Sequence, residues 1–131
     1  VGTRIEWRFA PLTHLPFPKG DFDLVICGFG FNQIEAKDLF SEGHRVLKEE
    51  GGLLLAAEVA SATSAGLAQK MRHGYRRLLK RESEDTKAQF YSSEDLTEML
   101  RTAGFRQVVI RGLKSDSTST TREFSLIKAI K

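Results

Sequence analysis

Residues 15–52, LPFPKGDFDLVICGFGFNQIEAKDLFSEGHRVLKEEGG, set out a turn, an apolar run, a glycine-bearing loop, a helical period and a Gly-Gly pair in fixed succession. Phe22 to Gly28 is almost uninterruptedly apolar and rich in branched side chains, the mark of a strand covered on both faces and placed centrally in a parallel sheet. Ala36, Leu39, Phe40, Gly43, Val46 and Leu47 recur three and four residues apart, so one face of a helix here packs on that sheet. Gly51 and Gly52 end the helix and turn the chain into LLLAAEV, a second buried strand. Strand, loop, helix, strand in this order is the repeating unit of α/β folds, whose ligands bind outside the carboxyl ends of the strands. The order therefore says where chemistry can happen and leaves open which chemistry it is.

The flanking segments extend the same fold. RIEWRF at 4–9 alternates charged and apolar side chains, as a strand with one solvated face does, and Pro11, Pro16 and Pro18 stop it. Over 66–81 a helical period runs through Leu67, Met71, Tyr75, Leu78 and Leu79, and Lys70, Arg72, Arg76, Arg77, Lys80 and Arg81 make that helix basic. Ser92 followed by Asp95 resembles a capping box ahead of Leu96, Met99, Leu100 and Ala103, and Gly104 suits the left-handed position that closes a helix. FRQVVIRGL then reads as a third core strand, and EFSLIKAI as a last strand pairing with it as a hairpin across the polar tract Ser115 to Thr121.

At 131 residues and 40% hydrophobic content the chain suits one domain, 1–131, but is short for a cofactor-dependent α/β enzyme, and it starts at Val1; an N-terminally truncated domain is the expectation. No apolar stretch has the length of a signal peptide or membrane span, so a cytoplasmic protein without a membrane partner is expected. A net charge of +3 is too small to argue for nucleic acid as a partner. The lone Cys27 permits no internal disulfide and reads as a small apolar group. Three scattered histidines and one cysteine offer no metal-ligand cluster, and His14 and His44 read as structural.

LPFP at 15–18, FDLV at 22–25, RVLKEEGG at 45–52 and YSSEDLTEMLRTAGF at 91–105 resemble, in order and spacing, the C-terminal half of class I S-adenosylmethionine-dependent methyltransferases. The likeness is to the small-molecule enzymes that include the ubiquinone and menaquinone C-methyltransferases. It implies a partial Rossmann-like α/β sheet. The family order is 3-2-1-4-5-7-6 with strand 7 antiparallel, so RIEWRF would be strand 3, FDLVICG strand 4, LLLAAEV strand 5, FRQVVIRGL strand 6 and EFSLIKAI strand 7. It further implies S-adenosylmethionine as the cofactor of the complete enzyme, with Gly28, Phe29 and Gly30 beside it, the Leu12 backbone N–H at the adenine edge, and Phe31 and Asn32 toward the methyl acceptor. Strands 1 and 2, with the glycine-rich loop and the acidic strand end that grip the cofactor in the family, have no counterpart here, and Pro11 stands where an Asp commonly bonds the adenine. Without those strands FDLVICG becomes an exposed apolar edge, to be covered by a missing N-terminal half or by a second chain.

Methyl transfer from a sulfonium is an in-line displacement in which positioning can supply about 7–11 kcal/mol of the barrier, so no invariant triad is required. Glycines admit close backbone approach, and an aromatic such as Phe29 can lie against the cation; equally, Phe29 and Phe31 suit a core and the glycines a turn. Glu58, ending LLLAAEV, and His73, on the basic helix, are the candidate catalytic groups, and each also reads as a solvated side chain. Arg72 and Arg76 would suit an acidic or phosphate-bearing substrate, or simply face solvent. Two functions stay open, a methyltransferase acting on a small molecule and a non-catalytic methyltransferase-like binding or assembly module. A dinucleotide-binding unit fits less well, because Gln33 occupies its third glycine position.

Overall fold

The computed structural model of the protein describes residues 2, 4–60, 88–113 and 122–131; the basic helix expected over 66–81, with Arg72, His73 and Arg76, and the tract Ser115 to Thr121 lie outside the described residues. Strands β1 (Phe22–Cys27), β2 (Leu47–Ala60), β3 (Gln107–Gly112) and β4 (Arg122–Ile130) form one sheet in the order β1-β2-β4-β3. Helix α1 (Ala36–Val46) joins β1 to β2, and α2 (Ser93–Thr102) precedes β3. β1 and β2 are adjacent and parallel, with Val25 opposite Leu53 and Cys27 opposite Leu55, as the two apolar runs foretold. β4 runs antiparallel between β2 and β3, and β3 and β4 pair as the expected hairpin strands.

Strand alternation divides the sheet into two unlike faces. On one face Leu53, Leu55, Ala57, Val59, Ile127 and Ala129 are buried beneath Leu39 and Phe40 of α1 and Leu96 and Leu100 of α2. The predicted apolar stripe of α1 is buried as expected: Ala36, Leu39, Phe40, Gly43 and Val46 all lie inside. On the other face Leu24 and Ile26 of β1, Val109 of β3 and Phe124 and Leu126 of β4 stay exposed. The expectation drawn from the apolar run, that FDLVICG is central and covered on both faces, is therefore corrected, while the exposed apolar edge expected in the absence of strands 1 and 2 is what forms. β1 is an edge strand covered on one face only, because no described segment reaches its free edge or that face.

Two further expectations change. RIEWRF forms no strand: Ile5, Trp7 and Phe9 are exposed, since a half-apolar segment without a neighbouring strand has no partner for its backbone groups. The helix ends at Val46 rather than at the Gly-Gly pair, and β2 starts at once from Leu47. The first residues of β2 fold through a kink in which Glu50 has φ 65° and the register against β1 jumps between Phe22 and Leu24. Gly51 sits at the tight point, where a Cβ would lie 2.8 Å from the Lys48 carbonyl oxygen and 3.2 Å from that of Asp23. β3 forms the opposite edge of the sheet, where the family order puts strand 6, with only alternate residues half-buried.

Local signals around α2 hold. Ser92 Oγ accepts from the Asp95 N–H at 3.1 Å, and Gly104 closes the helix at φ 108°. Gly104 also lies against the imidazole of His44, which meets Phe105 edge-on at 5.2 Å; burial there pushes the imidazole pKa down, as does the nearby Lys131 ammonium. Lys131 itself is buried, and its ammonium donates at 2.8 Å to the carbonyl oxygens of His44 and Leu47, satisfying the C-terminal end of α1. Arg106 donates from Nε and Nη2 to the Lys131 carbonyl oxygen at 3.0 and 2.7 Å, tying the start of β3 to the end of β4. Gly104→Ala would combine a strained φ with a Cβ 2.8 Å from His44 Nε2. It should cost about 1–3 kcal/mol in chemical denaturation, more than the roughly 1 kcal/mol expected of Ser92→Ala.

Candidate functional site

Because β1 and β2 are parallel, their carboxyl ends open on the same side, at Cys27–Gly28 and Glu58–Ala60. Beyond β1 the chain makes a single 3₁₀ turn, Phe29–Gln33, in which the Phe31 N–H donates to the Gly28 carbonyl oxygen at 3.1 Å. Gly28 and Gly30 are exposed, and a Cβ at either would meet nothing within 4 Å. Neither glycine is demanded by packing, so the turn leaves bare backbone open at the strand ends. Cys27 beside it is half-buried, and burial pushes its thiol pKa up, which suits a packing role over a nucleophilic one.

The two residues expected to face an acceptor are turned inward. Phe31 is fully buried, stacked on Phe40 with ring centroids 5.7 Å apart and tilted toward Tyr91 at 6.1 Å. Asn32 is buried too, and its amide is committed to backbone. Nδ2 donates to the carbonyl oxygens of Glu58 (3.0 Å) and Gln89 (2.8 Å), and Oδ1 accepts from the Glu58 N–H at 3.0 Å. The Gln89 N–H in turn donates to the Asn32 carbonyl oxygen at 2.7 Å. Asn32 thus pins three segments together: the turn after β1, the end of β2 and the stretch leading into α2. Glu58 stands half-buried at this junction, opposite Phe124 and so on the uncovered face of the sheet.

Gln89 and Tyr91 were not singled out from the sequence, yet they complete the rim. Gln89 Nε2 donates to Glu35 Oε1 at 2.7 Å, the Tyr91 hydroxyl donates to Gln89 Oε1 at 2.5 Å, and the Ala60 N–H donates to the Tyr91 carbonyl oxygen at 2.9 Å. Their only local signal is position, immediately ahead of the Ser92 cap. Leu12 lies on the loop before β1, packed on the core within a turn in which the His14 N–H donates to the Pro11 carbonyl oxygen at 3.1 Å.

That loop is held by a charged pair on α1. Glu42 Oε2 accepts from the Leu15 N–H at 2.7 Å, while Arg45 donates to the carbonyl oxygens of Phe17 (2.8 Å) and Leu15 (3.1 Å) and to both oxygens of Glu42 (2.7 and 2.8 Å). Hydrogen bonding from Arg45, helped by the Leu15 amide and opposed by burial, lowers the Glu42 pKa to about 2. The pair explains why LPFP and RVL appear together: the helix carries the two groups that fix the proline-flanked backbone, and the loop with Leu12 follows from it. Among the described residues no helix is long and apolar enough to cross a membrane.

Comparison with known proteins places these features. A methyltransferase-domain family model matches residues 1–55. Demethylmenaquinone methyltransferase of Geobacillus stearothermophilus is 31% identical over an alignment 111 residues long that covers 74% of this chain and 47% of that protein. The ubiquinone/menaquinone biosynthesis C-methyltransferase of Dinoroseobacter shibae is 27% identical over 132 residues, covering 86% of this chain and 50% of that one. The chain thus spans about half the length of these relatives. Among solved structures, geranyl diphosphate C-methyltransferase from Streptomyces coelicolor, determined with S-adenosyl-L-homocysteine, superposes with a TM-score of 0.67 at 15% identity over 94% of this chain and 52% of that chain.

Two outcomes follow from the polar clamps. Asn32→Ala strips partners from the Glu58 and Gln89 backbone groups, so hydrogen exchange at the Glu58 amide should accelerate while that of Leu54 and Leu55 stays slow, at a cost of about 1–3 kcal/mol for each buried group left unpaired. Glu42, held below its ordinary value of 4.5, stabilises the folded chain fully above that pH and loses this contribution as pH falls toward about 2. Glu42→Gln should therefore lower the denaturant midpoint at pH 7 and flatten its decline between pH 4.5 and 2, measured beside the parent chain.

Proposed function

We propose, for a chain that belongs to the class I S-adenosylmethionine-dependent methyltransferases, that it forms the C-terminal part of an enzyme moving a methyl group onto a small molecule. The observation that carries this is the open Gly28–Gly30 turn at the carboxyl ends of two parallel strands, the position where α/β sheets bind ligands. On this reading β1, β2, β3 and β4 are the family's strands 4, 5, 6 and 7, which the order β1-β2-β4-β3 with β4 antiparallel supports. The names of the aligned relatives, demethylmenaquinone and ubiquinone/menaquinone methyltransferases, favour a quinone-type ring carbon as acceptor.

The residues present suit the cofactor on one side. Bare backbone at Gly28 and Gly30 leaves room for a ligand to lie against the turn, whereas Pro11 offers no side-chain acceptor to an adenine and the Leu12 N–H remains on that side as a donor only. When bound, S-adenosylmethionine would supply an electrophilic methyl on a sulfonium. The chain's own contribution is orientation. Asn32 fixes the turn against the end of β2, Glu42 and Arg45 fix the loop carrying Leu12, and Glu58, whose backbone Asn32 holds, stands at the strand end as a carboxylate suited to accept a proton or orient an acceptor.

A second reading, a non-catalytic methyltransferase-like binding module, draws on Pro11 and on the uncovered edge of β1. Titration calorimetry with S-adenosylhomocysteine separates the two. A chimera joining the part of the Geobacillus relative outside its aligned residues to the amino terminus of this chain should bind in the micromolar range, equivalent to about −8 kcal/mol, and the chain alone at least about a hundredfold more weakly. A folded chimera that takes up no ligand would leave only the binding-module reading.

A further inference from the structure

The edge of the sheet away from β1 is β3, which has no neighbouring strand on its outer side among the described residues. Gln107–Gly112 contains no proline and pairs with β4 in unbroken register, so it lacks both the proline and the bulge that commonly blunt an edge. The Leu113 N–H donates to the opposite Phe124 carbonyl oxygen at 2.7 Å. Antiparallel pairing alternates, so Val109 and Arg111 likewise turn their backbone groups to β4, while Val108 and Ile110 turn theirs outward. Beside this edge runs a groove of about 550 Å³, with Val108 and Ile110 on one side and Glu94, Thr97, Glu98 and Arg101 of α2 on the other. These α2 residues recur at helical spacing along one stripe, acidic at its start and basic at its end. Among the described residues neither Glu94 nor Arg101 has an ion-pair or side-chain hydrogen-bond partner.

We infer that β3 and this flank of α2 form the interface of a symmetric dimer, in which a second copy of the chain pairs β3 to β3 antiparallel across a two-fold axis at Val109. Strand and helix are both self-complementary about that axis, as an isologous contact requires. On the strand, Val108 lies opposite the partner's Ile110 and Ile110 opposite the partner's Val108. Both residues carry outward backbone groups, so each such pair exchanges both of its N–H···O bonds. The branched side chains of these pairs share the face that α2 covers and carry the apolar floor of one groove into the other. Val109, 52% exposed, meets its own copy, and Gln107 meets the partner's Arg111. An axis at Ile110 would instead set Val108 against the partner's Gly112 and Val109 against the partner's Arg111. On the helix, the same two-fold makes the α2 copies antiparallel. Glu94 then stands opposite the partner's Arg101 and Arg101 opposite the partner's Glu94, with Thr97 and Glu98 between them; a parallel approach would set like charges together.

A foreign extended peptide would satisfy the backbone of the β3 edge but bring no helix to the groove, whereas a second copy supplies strand and helix together. Because β3 and β1 are opposite edges of the sheet, pairing through β3 leaves the free edge of β1 unoccupied.

Sedimentation and disulfide trapping test the pairing. By sedimentation velocity the chain should be dimeric at about 100 μM, where a dimer of micromolar dissociation constant is nearly full. Arg101→Glu should raise that constant at least about tenfold, and Glu94→Arg combined with Arg101→Glu should restore it to within about threefold of the parent chain. Glu94 and Arg101 are exposed on the helix surface, and restoration by the swapped pair separates a lost contact from a folding defect. In a Cys27→Ser background, Val109→Cys sets two sulfurs across a non-hydrogen-bonded antiparallel pair, where Cα atoms stand about 4.5 Å apart, within reach of a disulfide. Under mild oxidation by glutathione disulfide it should give covalent dimer at least about tenfold faster than Ile26→Cys on β1 or the exposed Glu49→Cys. A chain that stays monomeric, a dissociation constant indifferent to Arg101→Glu or unrestored by the swap, or trapping at Val109→Cys no faster than at Ile26→Cys overturns the inference. Pairing needs neither cofactor nor acceptor, so its failure leaves the methyl-transfer reading intact, and a dimer that binds no S-adenosylhomocysteine leaves the interface intact.

Discussion

Every element of the sheet is held through the two backbone ladders of Leu47–Ala60, parallel to β1 on one side and antiparallel to β4 on the other. A strand paired on both edges has its backbone groups satisfied, so the alternation of its side chains decides what can pack where. Leu53, Leu55, Ala57 and Val59 point at α1 and α2 and form the middle of the core. Leu54, Ala56 and Glu58 point the other way. The division into a covered face and an open one is thus set by a single strand and inherited by its neighbours through register.

The site grows from the same strand. Its carboxyl end supplies the Glu58 N–H and C=O that Asn32 holds, and through Asn32 the turn after β1 and the segment Gln89–Tyr91 are brought to one place. At the other end of the connection Glu42 and Arg45 hold the loop from Leu15 to Phe17. Both devices are buried or partly buried polar groups that hydrogen-bond to backbone, Glu42 and Arg45 also to each other, and each joins segments far apart in sequence. Such groups specify geometry because a misplaced partner leaves a desolvated donor or acceptor unmatched. The open glycine turn thus rests on rigid support beneath it, with the Phe31 and Asn32 side chains directed inward.

How much of this could be read from residue order varied with the range of the interaction. The stripe Ala36, Leu39, Phe40, Gly43, Val46 gave α1 and its buried face, because helical period is a local signal. Ser92, Asp95 and Gly104 gave both ends of α2 for the same reason. The apolar run FDLVIC gave a strand and its parallel partner, but two-sided burial is a statement about neighbours, and one side has none among the described residues. RIEWRF has the pattern of a strand and forms none, since pairing needs a second backbone. At RVLKEEGG the apolar period continues through Leu47, yet the helix stops at Val46 because pairing with β1 and the Lys131 ammonium at the His44 and Leu47 carbonyls draw Leu47 into β2. Asn32, read as a substrate contact from its place after a glycine turn, proved to be buried, and nothing near it in sequence announces Glu58 or Gln89 as its partners.

By itself the sequence determined the α/β class, the buried stripe of α1, both ends of α2, the apolar runs that become β1 and β2, and the methyltransferase resemblance that those runs and LPFP carry; each depends on side chains within a few residues of one another. Tertiary structure alone decided that one face of the sheet is bare and that Phe31 and Asn32 support the glycine turn from beneath. Those outcomes turn on which distant segments are present to pair, cover and accept hydrogen bonds, and periodicity along a chain carries no record of that.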